Sequence, residues 1–419
     1  MSSDNCSASL RPPRPLLHPP SVRSLALVTL AFLTAGAAGV ATQSRQRARD
    51  LGVPFEGTPG ALDAITDVRG VEVGMTTLIS GEGALKVGAG PIRTGVTAIL
   101  PRGKTSKDPV FAGWFSQNGN GEMTGTTWVE EGGFLEGPVF ITNTHSVGVV
   151  RDAAIKWSVE HGAMTQPWSL PVVAETWDGF LNDINGFHVR PEHVFAALDG
   201  ASSGPVPEGN VGGGTAMNCY GFKCGSGTAS RRLDARFGGY TVGVFVQANH
   251  GTRSQLRVAG VPVGLEIPVS PAAGRDDAPG VPGDNDALAE RGSIIIVVAT
   301  DAPLMPHQLK RIARRATMGL ARTGATSGNG SGDIFIAFST ANPGAEAAPE
   351  TAAVTMVSNA RISALFEATV QATEEAIVNA LVAAETMVGV DGHRSEAISH
   401  AALVAALRKY NRLNTAGGR

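Results

Sequence analysis

Runs of apolar residues separated by glycine- and proline-rich turns divide the chain into short strands and helices. The most apolar run, Ser293–Thr300, predicts an inner strand, and 240–249 predicts another because β-branched and aromatic residues dominate it. Apolar residues at helical spacing predict an amphipathic helix at 307–322 with its basic residues on the outside. The remaining predicted elements are strands at 61–74, 95–101, 138–142, 171–174 and 332–338, and helices at 151–161, 361–386 and 395–410.

Strands and helices follow one another in mixed order along the chain. A doubly wound parallel sheet would need strict alternation of the two, so this order favours a layered α+β fold. The segment 270–291 interrupts the pattern, because it is rich in Pro, Gly and Asp and has no periodicity. Such composition is typical of an exposed connection, and here it leads directly into the apolar strand that begins at Ser293.

Residues 1–41 have the organisation of an export signal. Arg11, Arg14 and Arg23 precede an apolar stretch at 25–40, which small residues interrupt and follow. A basic region, an apolar region and a small-residue cleavage site in this order are typical of a secretory signal peptide. Two glycines within the stretch weaken the alternative, an uncleaved membrane anchor. We expect a periplasmic or secreted mature protein without a stable membrane anchor.

Charge and cysteine content narrow the possible partners and cofactors. The formal net charge is −3 and charged residues make up 17% of the chain, so the basic surface needed for nucleic-acid binding is lacking. Cys6 lies in the signal, and we expect Cys219 and Cys224 to be buried free thiols, because on one strand they would face opposite sides and a bridge needs a bend. The sequence has no CxxC motif and no HExxH motif of the kind typical of metal ligands, and neither a metal nor a cofactor is expected.

The junction of Gly292 and Ser293 carries a chemical signal of its own. If the chain is cut there, Ser293 becomes an N-terminus at the mouth of a sheet, and its α-amine has a pKa of about 7.7–8.0. Nucleophile and base would then belong to one residue. Gly292 would allow the strained backbone that an N→O acyl shift requires. The local sequence leaves open the alternative that Ser293 simply begins a strand.

Several glycine- and asparagine-rich motifs follow one another between about residue 52 and the C-terminus. They lie at 118–124, 142–148, 181–186, 209–223, 227–231, 246–251, 292–294, 299–303 and 379–387. In residues and order they closely resemble the beta-peptidyl aminopeptidases and the L-aminopeptidase/D-esterases. The resemblance implies a four-layer αββα sandwich, similar in layering to the N-terminal nucleophile hydrolases but connected differently.

The same resemblance implies that the precursor cleaves itself before Ser293. The products would be a large chain, residues 42–292, and a small chain, residues 293–419, which stay associated as one folded domain. Homo-oligomers of these pairs are expected. The implied activity is that of a serine aminopeptidase acting on short peptides, amides or esters that have a free amine.

Four residues match the family's catalytic positions. Ser293 matches the nucleophile, and Asn249 matches the side-chain donor of an oxyanion hole. Ser331 and Asp333 match the hydroxyl and the acid that position and assist the nucleophile. The acid is expected to be Glu in other members, so the shorter Asp333 puts its reach in question. Taken alone, Asn249 could instead cap a turn and Asp333 could be a surface acid.

Two further residues match substrate-binding positions. Glu175 matches the carboxylate that receives the substrate's amino group, although alone it could be a helix-capping acid. Trp177 stands where some members carry Tyr. Two other functions stay open: an N-acyltransferase of the ornithine acetyltransferase type, whose nucleophile is Thr rather than Ser, and a non-catalytic periplasmic binding protein of the same fold.

Overall fold

Two β-sheets packed face to face form the centre of the computed structural model, which describes residues 46–267, 292–347 and 350–414. The predicted signal, Cys6 and the whole of the predicted connection lie outside these residues. The described strands are β1 (Glu72–Ser80), β2 (Ile92–Leu100), β3 (Val110–Ser116), β4 (Phe134–Leu135), β5 (Val139–Asn143), β6 (Val172–Thr176), β7 (Asn218–Cys219), β8 (Phe222–Lys223), β9 (Ser226–Arg232), β10 (Thr241–Asn249), β11 (Ser293–Thr300), β12 (Ile334–Ser339), β13 (Met387–Val388) and β14 (Arg394–Ser395).

Seven α-helices lie within the described residues. They are α1 (Thr126–Gly132), α2 (Val147–Glu160), α3 (Pro191–Asp199), α4 (Val263–Glu266), α5 (Pro306–Arg322), α6 (Ser363–Val382) and α7 (His400–Lys409). The basic residues of α5 are at least partly exposed, as its pattern predicted. Within the described ranges, no helix combines the length and the apolar character needed to cross a membrane.

The two main sheets differ in size and strand direction. The smaller has the order β1-β2-β5-β6, and its neighbours are antiparallel except β5 and β6. The larger has the order β4-β3-β12-β11-β10-β9, and its neighbours are antiparallel except β11 and β12. Strands that are neighbours in the larger sheet therefore come from both sides of residue 292.

Three apolar cores separate four layers. One core lies between the sheets, a second joins the larger sheet to α5 and α6, and a third joins the smaller sheet to α2 and α3. The layers therefore follow the order helix, sheet, sheet, helix. This confirms the predicted αββα sandwich.

Strand β11 lies inside the larger sheet and is buried over its whole length. Its side chains alternate, so that Ile294 and Ile296 enter the core beneath the helices while Ile295 and Val297 enter the core between the sheets. Burial of each such side chain contributes about 1.5–3 kcal/mol. By the same alternation Ser293 belongs to the face that looks toward the smaller sheet.

The structure corrects several predicted elements. In the predicted strand 61–74 only the last residues are extended, because Ile65–Asp67 form a short 3-10 turn and β1 begins at Glu72. Strands β3 and β9 were not predicted. Helix α2 begins at Val147, four residues before the predicted start, and α6 and α7 are shorter than predicted.

The expectation of free thiols at Cys219 and Cys224 is wrong, because the two residues form a disulfide. They do not lie on one strand: β7 and β8 form a hairpin joined by Tyr220 and Gly221. Both turn residues have positive φ, +53° and +64°, which is the backbone of a tight two-residue hairpin turn. This turn reverses the chain and brings the two sulfurs together.

Candidate active site

Ser293 and Asn249 face each other across two neighbouring strands. Asn249 ends β10, Ser293 begins β11, and the register pairs them directly. Only 5% of the Ser293 surface is exposed, and its Oγ accepts a hydrogen bond from the Gly332 N–H at 3.1 Å. The two residues that match a nucleophile and an oxyanion donor are therefore brought together.

Hydrogen bonds fix the orientation of the Asn249 side-chain amide. Its Oδ1 accepts from the Asn218 N–H at 2.9 Å, and its Nδ2 donates to the Trp177 carbonyl oxygen at 2.9 Å. The ideal Cβ position at Gly292 lies 3.3 Å from this nitrogen, so Nδ2 is beside the peptide that precedes Ser293. The second hydrogen of Nδ2 is suited to stabilise negative charge on a carbonyl oxygen there.

Gly292 has a backbone conformation that other residues rarely adopt. Its φ is +141°, and a Cβ at this position would lie 2.1 Å from the Asn249 carbonyl oxygen. Strain of this kind costs of the order of 1–3 kcal/mol for a residue with a side chain. The peptide before Ser293 is thus held in a geometry that requires glycine.

Ser331 and Asp333 form a hydrogen-bonded pair next to Ser293. The Ser331 Oγ–H donates to Asp333 Oδ1 at 2.5 Å, and the Ile294 N–H donates to the same oxygen at 3.2 Å. Burial raises the pKa of Asp333, while the hydrogen bond from Ser331 acts in the opposite direction. The shorter Asp therefore reaches both the Ser331 hydroxyl and the residue after the nucleophile.

Asparagines that the sequence left without a chemical role support this pair. Asn118 accepts from the Asp333 N–H at 2.6 Å, and Asn120 donates to the Gly330 carbonyl oxygen at 2.9 Å. A Cβ at Gly332 would lie 2.5 Å from the Asn120 carbonyl oxygen, so the two loops can approach only with glycine. The motif at 118–124 signalled a constrained backbone, but only the fold shows which loop it supports.

Glu175 is buried near the end of β6, in the opposing sheet. Its Oε1 accepts from the Glu122 N–H at 3.1 Å and its Oε2 accepts from the Thr144 Oγ–H at 2.5 Å. Burial raises its pKa above the ordinary 4.5, and these two hydrogen bonds act in the opposite direction. The ideal Cβ position at Gly121 lies 3.2 Å from Glu175 Oε1 and 3.0 Å from Gly332 Cα, so the carboxylate adjoins the loop that holds Ser293. Thr144 was missed, although its motif directly follows a strand.

Trp177 contributes its backbone and its ring in different ways. Its carbonyl oxygen binds Asn249, as described above, and its half-buried indole packs on a small apolar cluster. The members of that cluster are Phe180, Leu181, Ala216 and Met387. Trp177 therefore contributes a main-chain acceptor to the Asn249 amide and an apolar ring to the adjoining cluster.

Together these groups are suited to acyl transfer. The site combines a hydroxyl, an amide donor, an acid–hydroxyl pair and a separate carboxylate. In the part of the chain that the structure describes, no three His, Cys, Asp or Glu side chains form a group suited to a metal.

Comparison with known proteins finds similar sequences over most of the chain. The family model described as Peptidase family S58 matches residues 63–395. Beta-peptidyl aminopeptidase BapA of Sphingosinicella microcystinivorans is 56% identical over 386 residues, which are 90% of this chain and 96% of the relative. The beta-peptidyl aminopeptidase BapA of Sphingosinicella xenopeptidilytica is 51% identical over 388 residues, 91% of this chain and 96% of the relative.

Solved structures show the same fold. The L-aminopeptidase D-Ala-esterase/amidase of Ochrobactrum anthropi, described as a prototype serine aminopeptidase with a variant of the Ntn hydrolase fold, has a TM-score of 0.78 and 50% identity, covering 88% of this chain and 99% of that one. A beta-aminopeptidase from Burkholderia sp. has a TM-score of 0.78 and 48% identity, covering 89% of this chain and 100% of that one. These findings confirm the resemblance and the fold stated from the sequence.

Proposed function

The chain belongs to peptidase family S58 and is a serine aminopeptidase, and from this premise we propose that it releases N-terminal residues from short peptides, amides or esters through an acyl-enzyme on Ser293. The observation that carries the proposal is the position of Ser293. It begins a buried strand directly opposite Asn249, and its Oγ binds the N–H of Gly332, in the loop that adjoins Glu175. One hydroxyl thus lies between a donor for the carbonyl oxygen and a carboxylate for the amine.

Glu175 explains why the substrate needs a free amine. A carboxylate has about four lone-pair positions, and only two hydrogen bonds, from Thr144 and Glu122, are formed within the described residues. An ammonium group can therefore bind the remaining positions, and its charge favours the ionised carboxylate. Because Glu175 is buried, a neutral N-terminus would leave that carboxylate without a counter-charge.

The catalytic steps follow from the placement of these groups. The Ser293 Oγ attacks the carbonyl carbon of the N-terminal residue, and its proton passes to the free α-amine of Ser293. The Asn249 amide stabilises the oxyanion, the C–N bond breaks, and the leaving amine takes the proton. Water then attacks the ester, which releases the amino acid and restores the hydroxyl. Ser331 and Asp333 orient the hydroxyl and the amine through these steps.

The α-amine exists only if the precursor cuts itself, and we include this step in the proposal. The Ser293 Oγ would attack the Gly292 carbonyl carbon, the peptide bond would break to give an ester, and water would hydrolyse the ester to a Gly292 carboxylate and a free Ser293 amine. The strained backbone at Gly292 and the adjacent Nδ2 of Asn249 support this reaction. Export, proposed from the first 41 residues, fits a precursor that matures after it leaves the cytoplasm.

The decisive test compares intact masses of the wild type and Ser293→Ala. We expect two fragments that sum to the mature chain in the wild type and one uncut chain in the variant. Ser339→Ala is the matched control, because that hydroxyl is equally buried on β12 and binds the Ala302 carbonyl oxygen, away from the site. Fragments in Ser293→Ala, or one chain in an active wild type, would contradict self-cleavage by Ser293.

Substrate class needs a separate measurement. Both relatives quoted above are named beta-peptidyl aminopeptidases, so we propose that β-amino residues are accepted at the scissile position. Amino-acid p-nitroanilides with α- and β-residues of both configurations should show hydrolysis that depends on the free amine. Hydrolysis of an N-acetylated analogue at the same rate would contradict the role of Glu175.

A further inference from the structure

The hairpin closed by the disulfide lies against the amide of Asn249. We propose that the Cys219–Cys224 disulfide is a positioning element of the active site, because it holds the hairpin whose Asn218 N–H fixes the orientation of that amide. The inference rests on the proposed function of Asn249 in acyl transfer. It adds a redox-dependent support that the sequence did not indicate.

Apart from the disulfide, the hairpin is held by its surroundings, because most of its residues are buried and it bonds to the carbonyl oxygens of His250 and Glu396. Its ladder consists of two residue pairs, Asn218 with Lys223 and Cys219 with Phe222. A two-stranded hairpin is marginally stable at best in water, and this one is far shorter than an ordinary strand pair. Its turn also places Tyr220, a residue with a side chain, at positive φ. The disulfide joins Cys219, at the end of β7, to Cys224, the residue after β8, and so ties the two arms of the hairpin together.

The link to catalysis is the orientation of one side-chain amide. The oxygen and nitrogen of an Asn amide have similar size, so the chain selects which of them faces the substrate only by placing donors and acceptors around it. Here the Asn218 N–H binds Oδ1 at 2.9 Å, which leaves Nδ2 on the side of Trp177 and Gly292. A reversed amide would present an oxygen to the developing oxyanion and repel it.

Asn218 adjoins Cys219, so loosening of the hairpin acts on this hydrogen bond directly. The Asn218 side chain is held from another direction, because its Oδ1 accepts from the Ser395 hydroxyl. Reduction therefore weakens the orientation of the amide without removing it. An oxyanion donor is worth about 10²–10³ in kcat, and partial loss of its orientation should lower kcat about ten-fold. KM should change little, because Glu175 is held by Thr144 and Glu122.

The first experiment measures the disulfide in fully processed wild-type enzyme. Alkylation before reduction should label neither cysteine, and the peptides containing Cys219 and Cys224 should be recovered as one linked species. A phosphine then cleaves the S–S bond to two thiols and becomes the phosphine oxide, with its oxygen from water. We expect kcat to fall about ten-fold with KM unchanged. The matched control is the Cys219→Ser/Cys224→Ser double variant, which should start at the lower kcat and not respond to the phosphine.

A second experiment separates orientation of the amide from general stability. An amino aldehyde forms a tetrahedral adduct with the Ser293 hydroxyl and needs the oxyanion donor, whereas the corresponding amino alcohol uses the amine site alone. Reduction of the processed wild type should weaken binding of the aldehyde about ten-fold and leave binding of the alcohol unchanged. Free thiols in active enzyme, equal kcat before and after reduction, or equal weakening of both ligands would overturn the inference. Absence of any amide hydrolysis by oxidised enzyme would instead contradict the proposed function.

Discussion

Replacing Gly292 with alanine tests whether the backbone before Ser293 is set up for cleavage. In the native geometry the added Cβ would lie 2.1 Å from the Asn249 carbonyl oxygen, whereas real Cβ contacts essentially never fall below 3.0 Å. The φ of +141° is also unfavourable for any residue with a side chain. The peptide must therefore shift by about 0.9 Å or rotate away, and either movement displaces the carbonyl carbon that Ser293 attacks.

The magnitude follows from the cost of keeping the native geometry. A side chain in such a backbone region costs of the order of 1–3 kcal/mol. If only molecules that retain the native geometry react, self-cleavage should slow by roughly 5- to 150-fold, since about 1.4 kcal/mol is a factor of ten. The steric contact with Asn249 adds to this cost, so the factor is a lower bound.

The assay measures the conversion of one chain into two by intact mass, in samples taken at short intervals after induction. Gly148→Ala is the matched control, because a Cβ there meets nothing within 4 Å and the position lies inside α2 with ordinary φ. It should mature at the wild-type rate, and a thermal melt of each variant shows that both are folded. Cleavage of Gly292→Ala at the wild-type rate would refute the argument that the strained glycine prepares the bond.

Substitutions at Glu175, Asp333, Glu375 and Glu374 test other parts of the site and fold. Glu175→Gln should lower kcat/KM for free-amine substrates about a hundred-fold, since a buried charge pair is worth roughly 2–5 kcal/mol. Burial raises the pKa of Glu175, so wild-type kcat/KM should fall as pH drops through a value above 4.5, and the variant should lose this limb of the profile. Asp333→Asn should lower kcat about a hundred-fold at constant KM, while Asp333→Glu should retain most of the activity. Glu375 is fully buried between two arginines, at 2.6 and 2.7 Å. Glu375→Ala should therefore lower the free energy of unfolding by about 3–5 kcal/mol, measured by urea denaturation. The neighbouring Glu374 is paired with a half-exposed arginine, so Glu374→Ala should lower the free energy of unfolding by about 1 kcal/mol or less.

The sequence predicted the secondary structure more accurately where apolar runs were long. Strand β11 was predicted with its observed bounds because all of its residues are buried on both faces, and α5 because one face is apolar along its length. Strand β9 was missed because Ser226–Arg232 is made of small and polar residues whose burial depends on distant partners. Periodicity cannot indicate such a strand, since its environment is created by α6 and β10.

The candidate site was predictable in its residues and not in its arrangement. The resemblance gave Ser293, Asn249 and Glu175, and the structure brings them to one end of the two sheets. The motif at 142–148 contains Thr144 but gave no role for its hydroxyl, which binds Glu175 from the 3-10 turn after β5. The disulfide was also mispredicted, because a turn at positive φ through Tyr220 has no sequence signature of the kind that Asn-Gly would provide.

The order of strands in the larger sheet has a consequence for the proposed self-cleavage. β12 and β11, which follow residue 292, are inserted between β3 and β10, which precede it. After a cut before Ser293, two strands of the small product would thus lie between strands of the large product. Neither product could dissociate without breaking the main-chain hydrogen bonds that join these strands. If the proposed cut takes place, assembly must come before it, because a large half made alone would lack the two middle strands of this sheet and a small half made alone would lack the strands on both sides of them.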